Sequence, residues 1–131
     1  MVNLRFLLDS NVISEPTRPF PNPGVLRRMR EHQDKMGIAV VVWHELLFGC
    51  ERLPPSRNRS AIESYLFGTV RASLPILPYD QAAAKWHASE RARLVAAGRT
   101  PSFADGQIAA IAKANDLVLV TANLSHFQPF V

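Results

Sequence analysis

Short apolar runs alternate along the chain with longer stretches of helical periodicity. The runs are rich in Leu, Ile and Val and span residues 4–8, 38–42, 74–77 and 117–120. Runs that are apolar at consecutive positions are typical of parallel strands that are covered on both faces. Pro75 in the third run predicts a short strand or a strand at the edge of the sheet.

Helices are predicted between these strands. Asn22 and Pro23 are typical of an N-cap followed by the first helical residue, Asp80 can cap another helix, and Gly98 can end it. The predicted helices span approximately residues 22–36, 42–52, 56–71, 81–97 and 106–115. The alternation predicts an α/β fold, with a central parallel sheet of four to five short strands flanked by helices on both faces.

The amino-acid composition excludes several classes of protein. The 131 residues are 47% hydrophobic and 20% charged, which predicts one globular domain over residues 1–131. Lys and Arg number 15 and Asp and Glu number 11, and the net charge of +4 favours an anionic partner such as nucleic acid. The one cysteine excludes a disulfide scaffold and a zinc site of several thiolates, and it favours the cytoplasm. No apolar stretch approaches the ~18 residues of a membrane span, so no membrane association is expected.

Polar side chains follow the predicted strands where each strand ends. Asp9 and Asn11 follow the first strand, Glu45 lies in the first helical turn after the second, and Asn123 follows the last. Asp105 begins the helix that leads into the last strand. Because the carboxyl ends of parallel strands meet at one edge of a sheet, we expect these side chains to lie close together.

Three carboxylates that share one site repel each other unless some are protonated or a cation lies between them. Oxygen ligands without thiolate or imidazole favour Mg²⁺ or Mn²⁺, and such ions activate water for hydrolysis of a phosphodiester. Each acid also has an ordinary interpretation. Asp9 could form an Asx turn, Glu45 could favour a helix N-terminus, and Asp105 could complete a capping box with Ser102.

Four motifs in order resemble those of the PIN-domain ribonucleases, specifically the VapC/FitB-like toxins of bacterial toxin–antitoxin pairs. They are LLDSNVISE at residues 7–15, VWHELLFG at 42–49, AGRTPSFADGQIAA at 97–110 and VTANLSHF at 120–127. The resemblance implies a PIN-like fold and an Mg²⁺- or Mn²⁺-dependent endoribonuclease toxin. It also implies an RNA substrate, a homodimer and inhibition by a cognate antitoxin.

The same resemblance implies roles for particular residues. Asp9, Glu45 and Asp105 would be the acidic metal ligands, Asn11 would support Asp9 or a bound water, and Thr121 would form a hydrogen bond with Asp9. Asn123 stands where some family members have a fourth acid. Its neutral amide favours one tightly held ion over two. Relatives usually carry a further short strand after the fourth motif, whereas four residues follow it here.

The arginines, the histidines and an apolar surface patch also have expected roles. Of the arginine clusters, the one formed by Arg91, Arg93 and Arg99 is expected to contact RNA phosphates because it leads toward Asp105. No general-base role is expected for His44, His87 or His126, which are three of the four histidines. An exposed apolar patch on the helices between residues 43 and 70 is the expected contact for the antitoxin.

Two other functions compete with this interpretation. The first is a catalytically weak PIN-fold module that binds nucleic acid and acts with an antitoxin at DNA, which the neutral Asn123 keeps open. The second is a phosphotransfer receiver or an aspartyl-phosphate hydrolase. The hydrolase signature needs a second Asp where this chain has Asn11, and a receiver needs a Lys after a late strand, so both are disfavoured.

Overall fold

The sheet has four parallel strands in the order β3-β2-β1-β4. In the computed structural model of the chain, residues 3–130 are described. Met1, Val2 and Val131, at the ends of the predicted domain, lie outside the described residues. The strands are β1 (Phe6–Leu8), β2 (Met36–Ala39), β3 (Ile76–Leu77) and β4 (Val118–Val120). The predicted α/β class is therefore confirmed, and helices flank the sheet.

The strand register places all four carboxyl ends at one edge of the sheet. Leu7 of β1 lies opposite Gly37 of β2 and Leu119 of β4. The predicted effect of Pro75 is confirmed, since it precedes a two-residue strand at the sheet edge. Its carbonyl accepts a hydrogen bond from the backbone N–H of Ile38 at 3.0 Å.

The helices account for most of the rest of the described chain. Their bounds are α1 (Ser10–Ile13), α2 (Pro23–Glu31), α3 (Val40–Glu51), α4 (Arg57–Tyr65), α5 (Arg71–Ser73), α6 (Gln81–Ala96), α7 (Phe103–Ala114) and α8 (Leu124–Phe127). A 3₁₀ turn, Glu15–Thr17, follows α1, and a π-helical segment, Leu66–Val70, joins α4 to α5. No helix within residues 3–130 combines the length and the apolar character that crossing a membrane requires.

The predicted caps form at the N-termini of α2, α6 and α7. The Asn22 side chain accepts hydrogen bonds from the first turn of α2, the Asp80 side chain accepts one from Ala83, and the Ser102 hydroxyl accepts one from Asp105. Each cap satisfies backbone N–H groups that have no partner within the helix. The caps therefore fix where these helices start.

The core lies between the sheet and the helices that flank it. Helices α3 and α7 pack against β2, and α7 also packs against β4. Leu7 and Ile38 in the strands and Ile108 and Ile111 in α7 are fully buried. Successive side chains of a strand point to opposite faces, so both faces of the sheet are apolar and need helices to cover them.

Several predicted boundaries are wrong, including the start of the helix predicted at residues 106–115, which begins at Phe103. The second strand was expected at residues 38–42, but β2 ends at Ala39 and the three valines that follow form the first turn of α3. Ala39 pairs with Leu77, the last residue of β3, and Pro78 follows, so β2 has no strand partner on that side beyond Ala39. Helix α2 was expected to reach residue 36 but ends at Glu31, because Met36 already pairs with β1.

The short helices were not predicted. Residues 9–11 were expected to form a loop, but α1 begins at Ser10, and α8 begins at Leu124, after a short loop that follows β4. Each has four residues. A segment of about one turn is too short to show helical periodicity, which is read over windows of ~11 residues or more. The predicted helix at 56–71 is interrupted by the π-helical segment.

Candidate active site

The predicted site residues meet at a cavity of about 510 Å³ at the carboxyl edge of the sheet. Asp9, Asn11, Glu45, Asp105 and Asn123 all line it. They come from the β1–α1 junction, from α3, from α7 and from the loop after β4. Segments that are far apart in sequence thus deliver three carboxylates to one volume.

Asp9 is buried and held on both carboxylate oxygens. Its Oδ1 accepts a hydrogen bond from the backbone N–H of Ser10 at 2.8 Å, which caps α1. Its Oδ2 accepts one from the hydroxyl of Thr121 at 2.8 Å, as predicted. The Thr121 hydroxyl in turn accepts the backbone N–H of Asn123 at 3.0 Å. The first acid is therefore fixed by two elements, α1 and the loop after β4.

Within residues 3–130, no hydrogen bond joins the Asn11 side chain to Asp9, and its predicted support of a bound water stays a prediction. Its Oδ1 accepts a hydrogen bond from the backbone N–H of Ala122 at 3.1 Å. The side chain therefore ties α1 to the loop after β4, and it supports the first acid only through that loop. Asn123 lines the cavity close to the first acid, where the fourth motif was expected to place it.

Glu45 is half-buried on α3 and faces the other two acids across the cavity. It lies in the second turn of the helix and not in the first, because α3 begins at Val40. This position excludes the alternative that Glu45 only stabilises the N-terminus of the helix. Burial raises the pKa of the Glu45 carboxyl, a hydrogen bond with Ser10 opposes the shift, and the charges of Asp9 and Asp105 raise it further.

Asp105 lies in the first turn of α7. Its backbone N–H donates to the Ser102 hydroxyl at 3.2 Å, while its carboxylate lines the cavity. Burial raises the pKa of the Asp105 carboxyl, and the Asp9 charge raises it further, whereas His126 and a hydrogen bond with Ser102 lower it. His126 Nδ1 lies 3.9 Å from Asp105 Oδ2.

The three acids fit a hard divalent cation by the chemistry of their donor atoms. Within residues 3–130, neither lysine nor arginine forms an ion pair with any of them, so their charges are not neutralised locally. Carboxylate oxygens are the ligands that Mg²⁺ and Mn²⁺ prefer. As placed, however, the described part of the chain has no group of three Asp, Glu, His or Cys side chains that could hold an ion. An ion bound by all three acids therefore requires a rearrangement of side chains.

The arginines that were expected to contact RNA phosphates lie outside the cavity. Arg91 lies over the ring of Phe103, and Arg93 pairs with Glu90 and donates to a backbone carbonyl near the end of the chain. Neither they nor Arg99 line the cavity. Helix α6 packs along α7 outside the cavity, and the expected contact of these arginines with RNA phosphates stays a prediction.

Two basic residues of the cavity were missed. His126 and Arg18 both line it, His126 from α8 and Arg18 from the end of the 3₁₀ turn. The signal for His126 was its place in the fourth motif, six residues after β4. The signal for Arg18 was its position nine residues after Asp9, in a proline-rich segment that has to turn back toward α2.

Comparison with known proteins identifies the family. The PIN domain family matches residues 6–128. The chain belongs to the PIN domain family. The tRNA(fMet)-specific endonuclease VapC of Shigella flexneri is 33% identical over 126 residues, which are 95% of this chain and 91% of the relative. Toxin FitB of Neisseria gonorrhoeae is 31% identical over 124 residues, covering 92% of this chain and 89% of the relative.

Solved structures agree with this assignment. The crystal structure of FitAcB from Neisseria gonorrhoeae superposes on this PIN domain with a TM-score of 0.86 and 30% identity, covering 95% of this chain and 91% of the other. VapC and FitB proteins are thus among the relatives that match over nearly the whole chain, as the four motifs predicted.

Proposed function

We propose that this PIN domain is an endoribonuclease toxin that hydrolyses RNA phosphodiester bonds and is inhibited by a cognate antitoxin. The observation that carries the proposal is the cavity in which Asp9, Glu45 and Asp105 converge without a lysine or arginine counter-ion in the described chain. The similarity to VapC and FitB proteins supports the same reaction class.

Asp9, Glu45 and Asp105 are the proposed ligands of Mg²⁺ or Mn²⁺. When bound, such an ion would supply charge neutralisation at the phosphodiester and a lowered pKa of the attacking water. Asp9 enters the site already oriented, because the Ser10 N–H and the Thr121 hydroxyl each fix one of its oxygens. Burial raises the pKa of the Glu45 and Asp105 carboxyls, and a bound cation would oppose that shift because it favours the ionised carboxylates.

The substrate and partners follow from the relatives. Because one relative is named as a tRNA(fMet)-specific endonuclease, initiator tRNA is the first RNA to test. We propose a homodimer, with the cytoplasm as the place where it meets RNA. The antitoxin is proposed to cover the apolar patch of α3 and the π-helical segment, where Phe48 is 59% exposed and Phe67 is 45% exposed.

Binding to DNA is the second candidate function. The Salmonella typhimurium VapBC structure, which is 28% identical with a TM-score of 0.80, is a DNA-bound complex. We propose that this chain joins such a complex only together with its antitoxin. A gel-shift assay on the upstream region of its own gene, with and without the co-expressed antitoxin, tests this proposal.

The central experiment replaces one acid at a time. Asp9→Asn and Asp105→Asn are expected to abolish cleavage of initiator tRNA and of total RNA in Mn²⁺ while the circular dichroism spectrum is unchanged. Asp34→Asn makes the same charge change at an exposed position away from the cavity and is expected to keep full activity. Folded, nuclease-free preparations of the two site variants that cleave as fast as Asp34→Asn would overturn the proposal.

A further inference from the structure

A single arginine lies among the acids of the cavity. Among the described residues that line it, Arg18 is the only arginine or lysine. RNA is an anion that carboxylates repel, so a cation on the cavity wall favours its binding in addition to any ion that the three acids hold. Resting on the proposed function above, we propose that Arg18 binds a phosphate group of the RNA adjacent to the one that is cleaved.

The Arg18 guanidinium is held on one side and open on the other. Its Nη1 lies 2.8 Å from Glu15 Oε2, and its Nη2 donates to the backbone carbonyl of Asn11 at 3.4 Å. The side chain is nevertheless 51% exposed. A guanidinium has five N–H donors in one plane, so these two contacts leave donors that can bind a phosphate in the bidentate manner.

Glu15 is the residue that positions Arg18. Glu15 is buried, and its Oε1 accepts the backbone N–H of Asn22 at 2.9 Å while its Oε2 faces Arg18. The backbone N–H of Arg18 also donates to the Glu15 carbonyl at 3.1 Å. An exposed ion pair between neighbours in sequence contributes little to stability, but here one partner is buried and fixed by the backbone. The pair therefore holds the guanidinium in one place before any ligand arrives.

A continuous set of hydrogen bonds links this arginine to the first acid. Asn11, whose carbonyl accepts from Arg18, also accepts the backbone N–H of Ala122. Ala122 follows Thr121, whose hydroxyl donates to Asp9. Arg18 and Asp9 are thus fixed relative to each other, which is what holding one phosphate while cleaving its neighbour requires.

The test compares two arginine variants of equal charge. Arg18→Gln and Arg27→Gln each remove one positive charge, but Arg27 lies on α2, is 68% exposed and is outside the cavity. For an initiator tRNA transcript in EDTA, fluorescence anisotropy is expected to give a Kd about 10- to 100-fold higher for Arg18→Gln, as the loss of a charged hydrogen bond predicts. The slope of log Kd against log salt should fall by about 1 for Arg18→Gln. In Mn²⁺, its KM should rise in parallel with little change in kcat, whereas Arg27→Gln should change each quantity less than about twofold.

Further variants separate phosphate binding from folding. Arg18→Lys keeps the charge but loses the planar fork, so its Kd should lie between those of the wild type and Arg18→Gln. If Arg18→Gln unfolds, the double variant Glu15→Gln/Arg18→Gln, which leaves no buried carboxylate unpaired, replaces it. A folded Arg18 variant with the Kd, salt slope and KM of Arg27→Gln would overturn this inference alone. A wild-type protein that neither binds nor cleaves RNA would overturn the proposed function and this inference with it.

Discussion

The hydrogen bond from Thr121 to Asp9 is the contact on which the order of the site most depends. Thr121→Val keeps the shape of the side chain but removes the hydroxyl, which donates to Asp9 Oδ2 at 2.8 Å. The Asp9 carboxylate is buried, with 6% of its surface exposed, so the lost donor is not fully replaced by water. The variant is expected to lower both the stability of the protein and its affinity for a divalent ion.

The magnitude follows from the kind of bond that is lost. A hydrogen bond to a charged group contributes about 1.5–3 kcal/mol, so the free energy of unfolding should fall by about 2 kcal/mol. The entropy of unfolding is ~2.1 cal/mol/K per residue, or ~0.28 kcal/mol/K for this chain of 131 residues. Dividing the first value by the second gives a decrease of about 7 °C in Tm. Loss of a residue that orients a metal ligand lowers metal affinity by about 10- to 100-fold.

Thermal melts in EDTA, followed by titration with Mn²⁺, measure both effects. Thr17→Val is the matched control, because the Thr17 hydroxyl also lies at the cavity but donates to the neutral carbonyl of Ser14 at 2.6 Å. It should lower Tm by about half as much, since a neutral hydrogen bond contributes about 1 kcal/mol, and it should leave Mn²⁺ affinity unchanged. A Thr121→Val protein with a Tm within about 2 °C of the wild type and equal Mn²⁺ affinity would refute this account of the site.

Three further predictions test the electrostatics and packing around the site. Burial raises the pKa of Glu45 and Asp105 in the folded state, so their ionisation at neutral pH opposes folding. In EDTA at pH 7, Glu45→Gln and Asp105→Asn should therefore raise Tm. The gain in Tm should vanish as the pH falls below the ordinary pKa values of the two carboxyls, 4.5 for Glu45 and 3.8 for Asp105. An equal gain in Tm at low pH would contradict this. Gly106→Ala would place a methyl group 2.2 Å from the buried His87 ring and should lower the free energy of unfolding in urea by about 1–3 kcal/mol. An unchanged free energy of unfolding would contradict this and show that the ring moves aside. Tyr65→Phe removes a 2.7 Å hydrogen bond to the last carbonyl of α1 and should cost about 1 kcal/mol in the same assay, whereas an unchanged midpoint would show that water replaces the bond.

The α/β class of the fold was predictable because it depends on local sequence patterns, namely apolar runs and helix-capping residues. The apolar runs gave all four strands, and the side chains of Asn22, Asp80 and Ser102 gave the starts of α2, α6 and α7. The end of β2 was not predictable in this way. Three consecutive valines favour a strand locally, but the strand ends where its partner β3 ends, and that limit is set by tertiary pairing.

The acids of the site were predictable for a different reason from its arginine. Asp9 follows β1, Glu45 lies on the helix after β2, and Asp105 lies in the first turn of α7, so the parallel topology brings all three acids to the same edge. Arg18 lies in a proline-rich connection between α1 and α2. The path of this connection depends on two hydrogen bonds that involve no strand residue. One joins the Asn22 backbone N–H to the Glu15 carboxylate, and the other joins the Arg18 guanidinium to the Asn11 carbonyl. The strands and the helices next to them thus determine where the three carboxylates lie. The irregular segment supplies Arg18, the proposed phosphate contact, whose place at the cavity no strand pattern predicts.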